Sequence, residues 1–361
     1  MKLQGHFSKY SGINTIQSGA NNGIKCSFKC LKTDDCKLAL VKEQNCKILN
    51  ECMPIDYNHT NFVLIKKMKK SSRMNSSFTL KMNLSGHTSS ALSLAVLNNG
   101  VLASGSGDKN IKIWTPDNGC EIMTLKSQSG AVWSLAELKN GDLACGLDDN
   151  TIEIWNTKNG SKKMILSGHS GMVLSLVILN NGDLASGSED YTIKIWNTQN
   201  GSAKMTLNGH TNQVRSLVVL NNGDLASGSY DKTIKIWNTN NGSLKLTLLG
   251  HSGMIWSLAM LHNGDLASGS ADHTIKIWNT NDGSEIISLD SRSMTAYPLV
   301  VLKNGDLVSG FNDGSITIWN TNNGSIKMTL LGHSARIRSF VVLFNGDLAS
   351  ASDDGLVKIW N

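Results

Sequence analysis

Residues 201–238 read GSAKMTLNGHTNQVRSLVVLNNGDLASGSYDKTIKIWN. Within this stretch RSLVVL, LASGS and TIKIW are apolar or alternate apolar with polar, and turn residues such as NNGD and SYDK separate them. That pattern, punctuated by Gly, Asn and Asp, is the signature of short antiparallel strands. The stretch is one copy of many. Trp114, Trp155, Trp196, Trp237, Trp278, Trp319 and Trp360 lie 41 residues apart, with no position missed. A fixed period of this length marks one supersecondary unit repeated round a ring. The NNGDL-type turn keeps its glycine in every copy, from Gly100 to Gly346, and a leucine follows two residues later. The Asn-Gly pairs predict type I′ hairpins, which need positive φ at both central residues. With only 3 Pro in the chain, little interrupts the ladders.

Other residues recur in step with the tryptophans. A Gly-His pair precedes the first strand of five copies, giving His87, His169, His210, His251 and His333. A serine occupies the second strand as Ser104, Ser186, Ser227, Ser268, Ser309 and Ser350. An aspartate stands six residues before each tryptophan: Asp108, Asp149, Asp190, Asp231, Asp272, Asp313 and Asp354. In these marks the chain resembles the WD-repeat β-propeller family, although the family's closing Trp-Asp is mostly Trp-Asn here. The likeness covers residues 75–361, which is 287 positions, or seven times 41. It implies an all-β fold, a seven-bladed β-propeller of four-stranded antiparallel blades, preceded by a small cysteine-rich α+β module.

The resemblance further implies that the histidine, serine, aspartate and tryptophan of one unit form a buried hydrogen-bond network. An unpaired polar group inside a sheet costs about 1–3 kcal/mol, so such residues must come as a set. The second unit carries Gln128 and Cys145 in place of His and Ser, and the sixth carries Arg292 in place of His. These two blades are expected to lack the full network and to be the least stable part of the ring. The chain reaches Asn361 one strand short of a last complete unit, while TLKMNL at 79–84 matches the end of every other unit. Residues 79–84 are therefore expected to supply the outer strand of the last blade, which removes an open edge and makes residue 361 a natural end.

The first 76 residues lack the period and hold Cys26, Cys30, Cys36, Cys46 and Cys52. They carry 13 Lys+Arg against 5 Asp+Glu (+8), leaving 21 against 23 (−2) for the remainder. The cysteine spacing lacks the close C-x2-C pairs that zinc sites favour, and only His59 lies nearby. CSFKCLKTDDCKLALVKEQNCKIL resembles a PAN/apple module, a small extracellular disulfide domain. That resemblance implies Cys26–Cys46 and Cys30–Cys36 disulfides, an odd Cys52 and a closing strand in NFVLIKK at 61–67. The alternative is a reduced, partly ordered basic extension. The expected organisation is a cysteine-rich module over 1–66, a basic linker over 67–76 and the propeller over 77–361. MKLQGHFSKY has no apolar core, so no signal peptide is read, and no run approaches the ~20 apolar residues of a membrane span. The compartment is cytoplasmic on that reading, and extracellular if the N-terminal module is a true PAN/apple domain whose leader is missing. Asn-Gly-Ser at Asn159, Asn200, Asn241 and Asn323 matches glycosylation acceptors but falls at one repeated hairpin, which favours a turn.

The copies differ most at a few equivalent positions. Five residues after the Gly-His histidine the series is Leu92, Trp133, Leu174, Arg215, Trp256, Tyr297 and Arg338. Just before the turn aspartate it is Gly107, Asp148, Glu189, Tyr230, Ala271, Asn312 and Asp353. Three residues after the histidine it is Ser90, Ala131, Met172, Gln213, Met254, Thr295 and Arg336. The resemblance puts these positions at one end of the ring, around the central channel. A packed position does not swing among Trp, Arg and Leu, because volume changes there cost about 1–3 kcal/mol. Trp, Tyr and Arg are also the types enriched at binding hot spots. Trp133, Arg215, Trp256, Tyr297 and Arg338, with Tyr230 at the margin, are therefore expected to bind a partner, with Arg215 and Arg338 meeting an acidic ligand from nearly opposite sides. No phosphate loop, nucleophile elbow or His-rich metal motif is present, so no catalytic residue, cofactor or metal is expected. The expected function is a non-catalytic scaffold, monomeric, binding a protein or peptide. The alternative is a secreted recognition protein whose N-terminal module binds protein or glycan beside the propeller. The propeller's charge near −2 argues against nucleic acid.

Overall fold

A computed structural model describes residues 78–361 apart from Arg292, Ser293 and Asn322, and before them the backbone of five strands. The chain divides into two compact units, Met1–Ser76 and Ser77–Asn361. In the first, His6–Tyr10 pairs antiparallel with Ile13–Gln17, and Ala39–Lys42 pairs with Asn45–Ile48 on one side and Val63–Ile65 on the other. The Cys26–Cys46 and Cys30–Cys36 pairs lie outside the described residues, as does Arg292.

The second unit is seven four-stranded antiparallel sheets, six of them with their strands in sequence order. The first blade runs Ala91–Val96, Leu102–Ser106, Asn110–Thr115 and Cys120–Lys126. The seventh runs Ile337–Val342, Leu348–Ser352 and Val357–Trp360, and its outer strand is Leu80–Leu84 from the other end of the chain. Thr79 and Asn361 exchange backbone hydrogen bonds of 2.7 and 3.0 Å. Lys81 pairs with Asp347 at 2.6 Å, as Lys204 does with Asp183 and Lys245 with Asp224 in blades made from continuous chain. The clasp thus continues the register of the repeat. It leaves no unpaired edge where the last blade ends.

The hairpins are not type I′. In the NNGD turn of the fourth blade, Gly223 N–H donates to Leu220 O at 2.9 Å and Leu220 N–H to Asp224 O at 2.8 Å. Gly223 has φ +87°, while neither asparagine before it has positive φ. This is a type I turn followed by one left-handed residue, the other common way to match strand twist. Only one position needs to be glycine as a result. Asn222 fits just before it because its side-chain carbonyl accepts the Asp224 N–H at 3.0 Å.

The apolar core lies between blades. Leu179, Ala185, Ile193, Ile195 and Leu207 of the third blade pack against Val214, Leu217, Leu225 and Trp237 of the fourth. Each fully buried aliphatic side chain contributes about 1.5–3 kcal/mol, and every interface repeats the set. Close approach depends on a glycine in the second strand. A Cβ on Gly228 would lie 2.7 Å from Ile255 Cγ2 of the next blade. The seventh blade carries Ala351 at this position, and the facing residue is reduced to Ala91; the two share one buried cluster. The interface where the ring closes therefore exchanges bulk across the gap while keeping its volume. Serines on the first strands also tie neighbouring blades together. Leu258 N–H donates to Ser216 Oγ at 3.0 Å, and Leu94 N–H to Ser339 Oγ at 3.1 Å across the closure. The sixth blade has Pro298 here and a first strand of three residues, Leu299–Val301.

Candidate binding site at the channel mouth

Two sets of polar residues recur round the ring, and they serve different ends. The first lies within blades. His87 Nδ1 is 2.9 Å from Asp108 Oδ2 and its Nε2 is 2.7 Å from Ser104 Oγ, while Trp114 Nε1–H donates to Ser104 Oγ at 2.8 Å. The same contacts join His169 to Asp190, Ser186 and Trp196, and His210 to Asp231, Ser227 and Trp237. They recur for His251 with Asp272, Ser268 and Trp278, and for His333 with Asp354, Ser350 and Trp360. If Nδ1–H donates to the carboxylate, Nε2 accepts from the serine hydroxyl, which itself accepts from the indole. Every polar group in the chain of contacts is then satisfied.

Burial holds His87, His251 and His333 below the ordinary imidazole range, against the raising effect of their aspartates. Burial also pushes the Asp272 carboxyl up, but hydrogen bonds from Thr274, His251 and the Ser252 N–H outweigh it and hold the group down at about 2. These histidines are buried and engaged at both nitrogens, so they are scaffold. Among the described residues no group of three or more His, Cys, Asp or Glu is placed to hold a metal ion.

The second blade is not simply deficient. In place of the missing His and Ser it buries Glu153, with none of its surface exposed. Trp155 Nε1–H donates to Glu153 Oε2 at 3.1 Å, Ser129 Oγ–H donates to Oε1 at 3.3 Å, and Lys162 pairs with Oε1. Cys145 Sγ lies 3.2 Å from Glu153 O, and burial pushes its thiol far up. The His–Ser–Asp–Trp set is absent from this blade, as expected, but a carboxylate replaces the serine as acceptor for the indole. The signal was in the sequence, since the position of Glu153 holds Lys or Thr in the other six units. In the sixth blade Trp319 Nε1–H still donates to Ser309 Oγ at 2.8 Å.

The second set faces the channel. Leu92, Trp133, Leu174, Arg215, Trp256, Tyr297 and Arg338, one from each blade, line a single cavity of about 290 Å³ at the ring centre. Leu92 and Leu174 are buried, and the other five are half-buried. Period two puts alternate residues of each first strand on this wall, so the repeat brings these positions to one level. The polar side chains fold inward over one another. Arg215 Cζ lies 5.0 Å from the Trp133 ring centroid and 5.6 Å from that of Trp256. Trp256 packs at 4.8 Å on Tyr230 and 4.7 Å on Tyr297. Arg336 stands 4.5 Å over Tyr297. Arg338 lies 5.9 Å from Trp133, and its Nε–H donates to Asp353 Oδ1 at 2.7 Å. Asp353 Oδ2 is 4.0 Å from Arg336, which closes the circuit.

Two features were not foreseen. Arg215 and Arg338 do not stand on opposite sides of an open mouth: the channel is narrow enough for both to reach the indole of Trp133. Arg336 belongs to the cluster as well, which the variability of its position signalled. The circuit holds three arginines against one aspartate, a balance of +2. Burial lowers the Arg215 guanidinium below its ordinary range; Tyr230 opposes this, while Arg338 and Arg336 reinforce it.

Comparison with known proteins agrees with this architecture. The family profile "WD domain, G-beta repeat" matches residues 78–115, 119–156, 160–197, 201–238, 242–279 and 324–361. The unmatched interval contains the first three strands of the sixth blade, where Arg292 and Pro298 break the pattern. No match extends to residues 1–77, so the PAN/apple resemblance gains no support there. A search of curated protein sequences gave no match. Among solved structures the chain is similar to the WD40 beta propeller domain of Doa1, at 28% identity and a TM-score of 0.73, covering 80% of this chain and 98% of that one. With seven closed blades and six matching repeats, the chain belongs to the WD-domain, G-beta repeat family.

Proposed function

We propose that the propeller is a non-catalytic scaffold that binds a protein or peptide at the channel mouth. The observation that carries this reading is the circuit of Trp133, Arg215, Trp256, Tyr297, Arg336 and Arg338. Here one equivalent position swings among Trp, Arg, Tyr and Leu round the whole ring, which no scaffold position of the repeat does. Rigid aromatic rings lose little conformational freedom on binding, and arginine among them supplies directed hydrogen bonds. The cavity admits a side chain or a short segment, so the partner would insert a residue and rest on the surrounding loops. The N-terminal recognition alternative has no described contact behind it.

The test is selection of peptides from a random library on the full chain, followed by binding to Trp133→Ala and Trp256→Ala variants. Enriched peptides should bind the parent and lose affinity by about tenfold or more in either variant. A Leu331→Ser change on an exposed residue before the last Gly-His serves as control. Failure to enrich any peptide, or equal binding by the tryptophan variants, would overturn the proposal.

A further inference from the structure

The cluster at the channel mouth is rich in donors and poor in acceptors. Arg215 makes no hydrogen bond or ion pair with the described residues; its close contacts are the indoles of Trp133 and Trp256. The Nε1 atoms of those two indoles are themselves buried without a hydrogen-bond partner, and so is Arg336 Nε. The Arg336–Asp353 separation of 4.0 Å is too long for a hydrogen bond. The nearby carboxylates are all engaged. Asp353 accepts from Arg338, Glu189 accepts from Gln213 Nε2 at 2.6 Å, and Asp148 accepts from Ala131 N–H at 2.8 Å.

A half-buried guanidinium with no carboxylate partner carries a cost, and so does a buried indole N–H with no acceptor. Such groups persist at a site when a ligand supplies what the protein withholds. Here the shortfall is one anion bearing at least two acceptor oxygens. With two indoles against it, the guanidinium keeps its N–H edge for hydrogen bonds, and that edge matches a planar carboxylate. Leucines are interleaved with these groups: Leu174 stands in the ring between Trp133 and Arg215, and Leu135 and Leu176 also line the cavity. Apolar side chains beside the guanidinium can take up the methylenes of an inserted side chain.

We propose that Arg215, with the Nε1–H groups of Trp133 and Trp256, forms a carboxylate-binding cage that receives an acidic side chain of a peptide partner. The proposal rests on the scaffold reading and adds the chemistry of the inserted residue. Arg215 is then a binding residue held at the expense of stability.

The experiment uses the full chain, with indole N–H resonances followed by NMR and assigned through Trp133→Phe and Trp256→Phe. The probes are N-acetyl-glutamate amide, its neutral isostere N-acetyl-glutamine amide, N-acetyl-phosphoserine amide and inorganic phosphate. The glutamate derivative should shift both indole N–H signals saturably, at least tenfold more tightly than the glutamine derivative. Arg215→Met should weaken that binding by about tenfold or more and raise the melting temperature, since it removes a half-buried charge that has no carboxylate partner. No shift at either indole, equal binding of the glutamine derivative, or a lowered melting temperature for Arg215→Met would overturn the proposal. Tighter binding of the phosphoserine derivative or of free phosphate would overturn the carboxylate assignment. Should library peptides still bind at the tryptophans and ignore Arg215→Met, the scaffold reading stands and the cage does not.

Discussion

Arg215 of the fourth blade and Arg338 of the seventh place their guanidinium carbons 5.0 and 5.9 Å from one ring, the indole of Trp133 in the second. Two like charges thus lie against one aromatic ring, and only Arg338 has a carboxylate to offset it. Residues that are equivalent in the repeat do opposite things here, since Trp133 is the platform and the arginines are its load. The ring of equivalent positions has become an asymmetric site.

The tryptophans should divide cleanly into scaffold and site. Trp237 is 2% exposed and donates to Ser227 at 2.8 Å. Trp237→Ala should cost about 3–5 kcal/mol in denaturant unfolding. Trp256→Ala, at a half-buried position in the channel, should cost far less while abolishing peptide binding. Similar unfolding midpoints for the two variants would contradict the division.

The second blade should depend on Glu153. Glu153→Ala leaves the Trp155 indole and the Lys162 ammonium without their acceptor. A loss of about 1–3 kcal/mol is expected, since the buried indole N–H is left without an acceptor. Thermal unfolding of Glu153→Ala beside Lys163→Ala, which touches a half-exposed pair, measures it. Equal midpoints would mean that the carboxylate carries no load.

Acid should unfold the propeller in two stages. Folding disfavours protonation of His87, His251 and His333, so the unfolded chain takes up protons first as pH falls below about 6.5, and stability declines from there. The carboxylates held low in the folded state contribute stability above about pH 4. That part is lost as pH falls toward the folded value, about 2 for Asp272. Denaturant midpoints at pH 7.5, 5.5 and 3.5 should fall in that order; a midpoint that rises on acidification would refute the assignment.

The clasp should be separable from what precedes it. A chain lacking residues 1–74 keeps Leu80–Leu84, whereas one lacking 1–85 exposes the edge of Val357–Trp360 and loses the Lys81–Asp347 pair. The second should melt at a distinctly lower temperature and aggregate more readily. Equal melting temperatures would sink the clasp.

The glycine of the second strand should be coupled to the residue facing it. Gly228→Ala should destabilise by about 1–3 kcal/mol through its contact with Ile255. In combination with Ile255→Ala the cost should be less than the sum of the two, as the natural Ala351 and Ala91 pairing implies. A double-mutant cycle in denaturant measures the coupling, and strict additivity would exclude it.

Much of this protein is local information repeated seven times. The period of 41, the alternation within each strand and the glycine of each turn determine the sheets, because side-chain alternation and turn sterics act over a few residues. The missing last strand and the matching TLKMNL segment also determined how the ring closes. The within-blade partners His, Ser, Asp and Trp followed from their fixed offsets. Other features needed the third dimension. The turn type could not be read from Asn-Gly, because a type I turn with one left-handed glycine uses the same residues. The rescue of the second blade by Glu153 depends on a carboxylate reaching an indole and a lysine in a closed interior. Above all, the period says that Trp133, Arg215, Trp256, Tyr297 and Arg338 share one level of the channel. Only the packed structure decides which arginine lies over which ring and which is left without a counterion, because long side chains crossing a narrow channel choose among partners that sequence spacing does not distinguish.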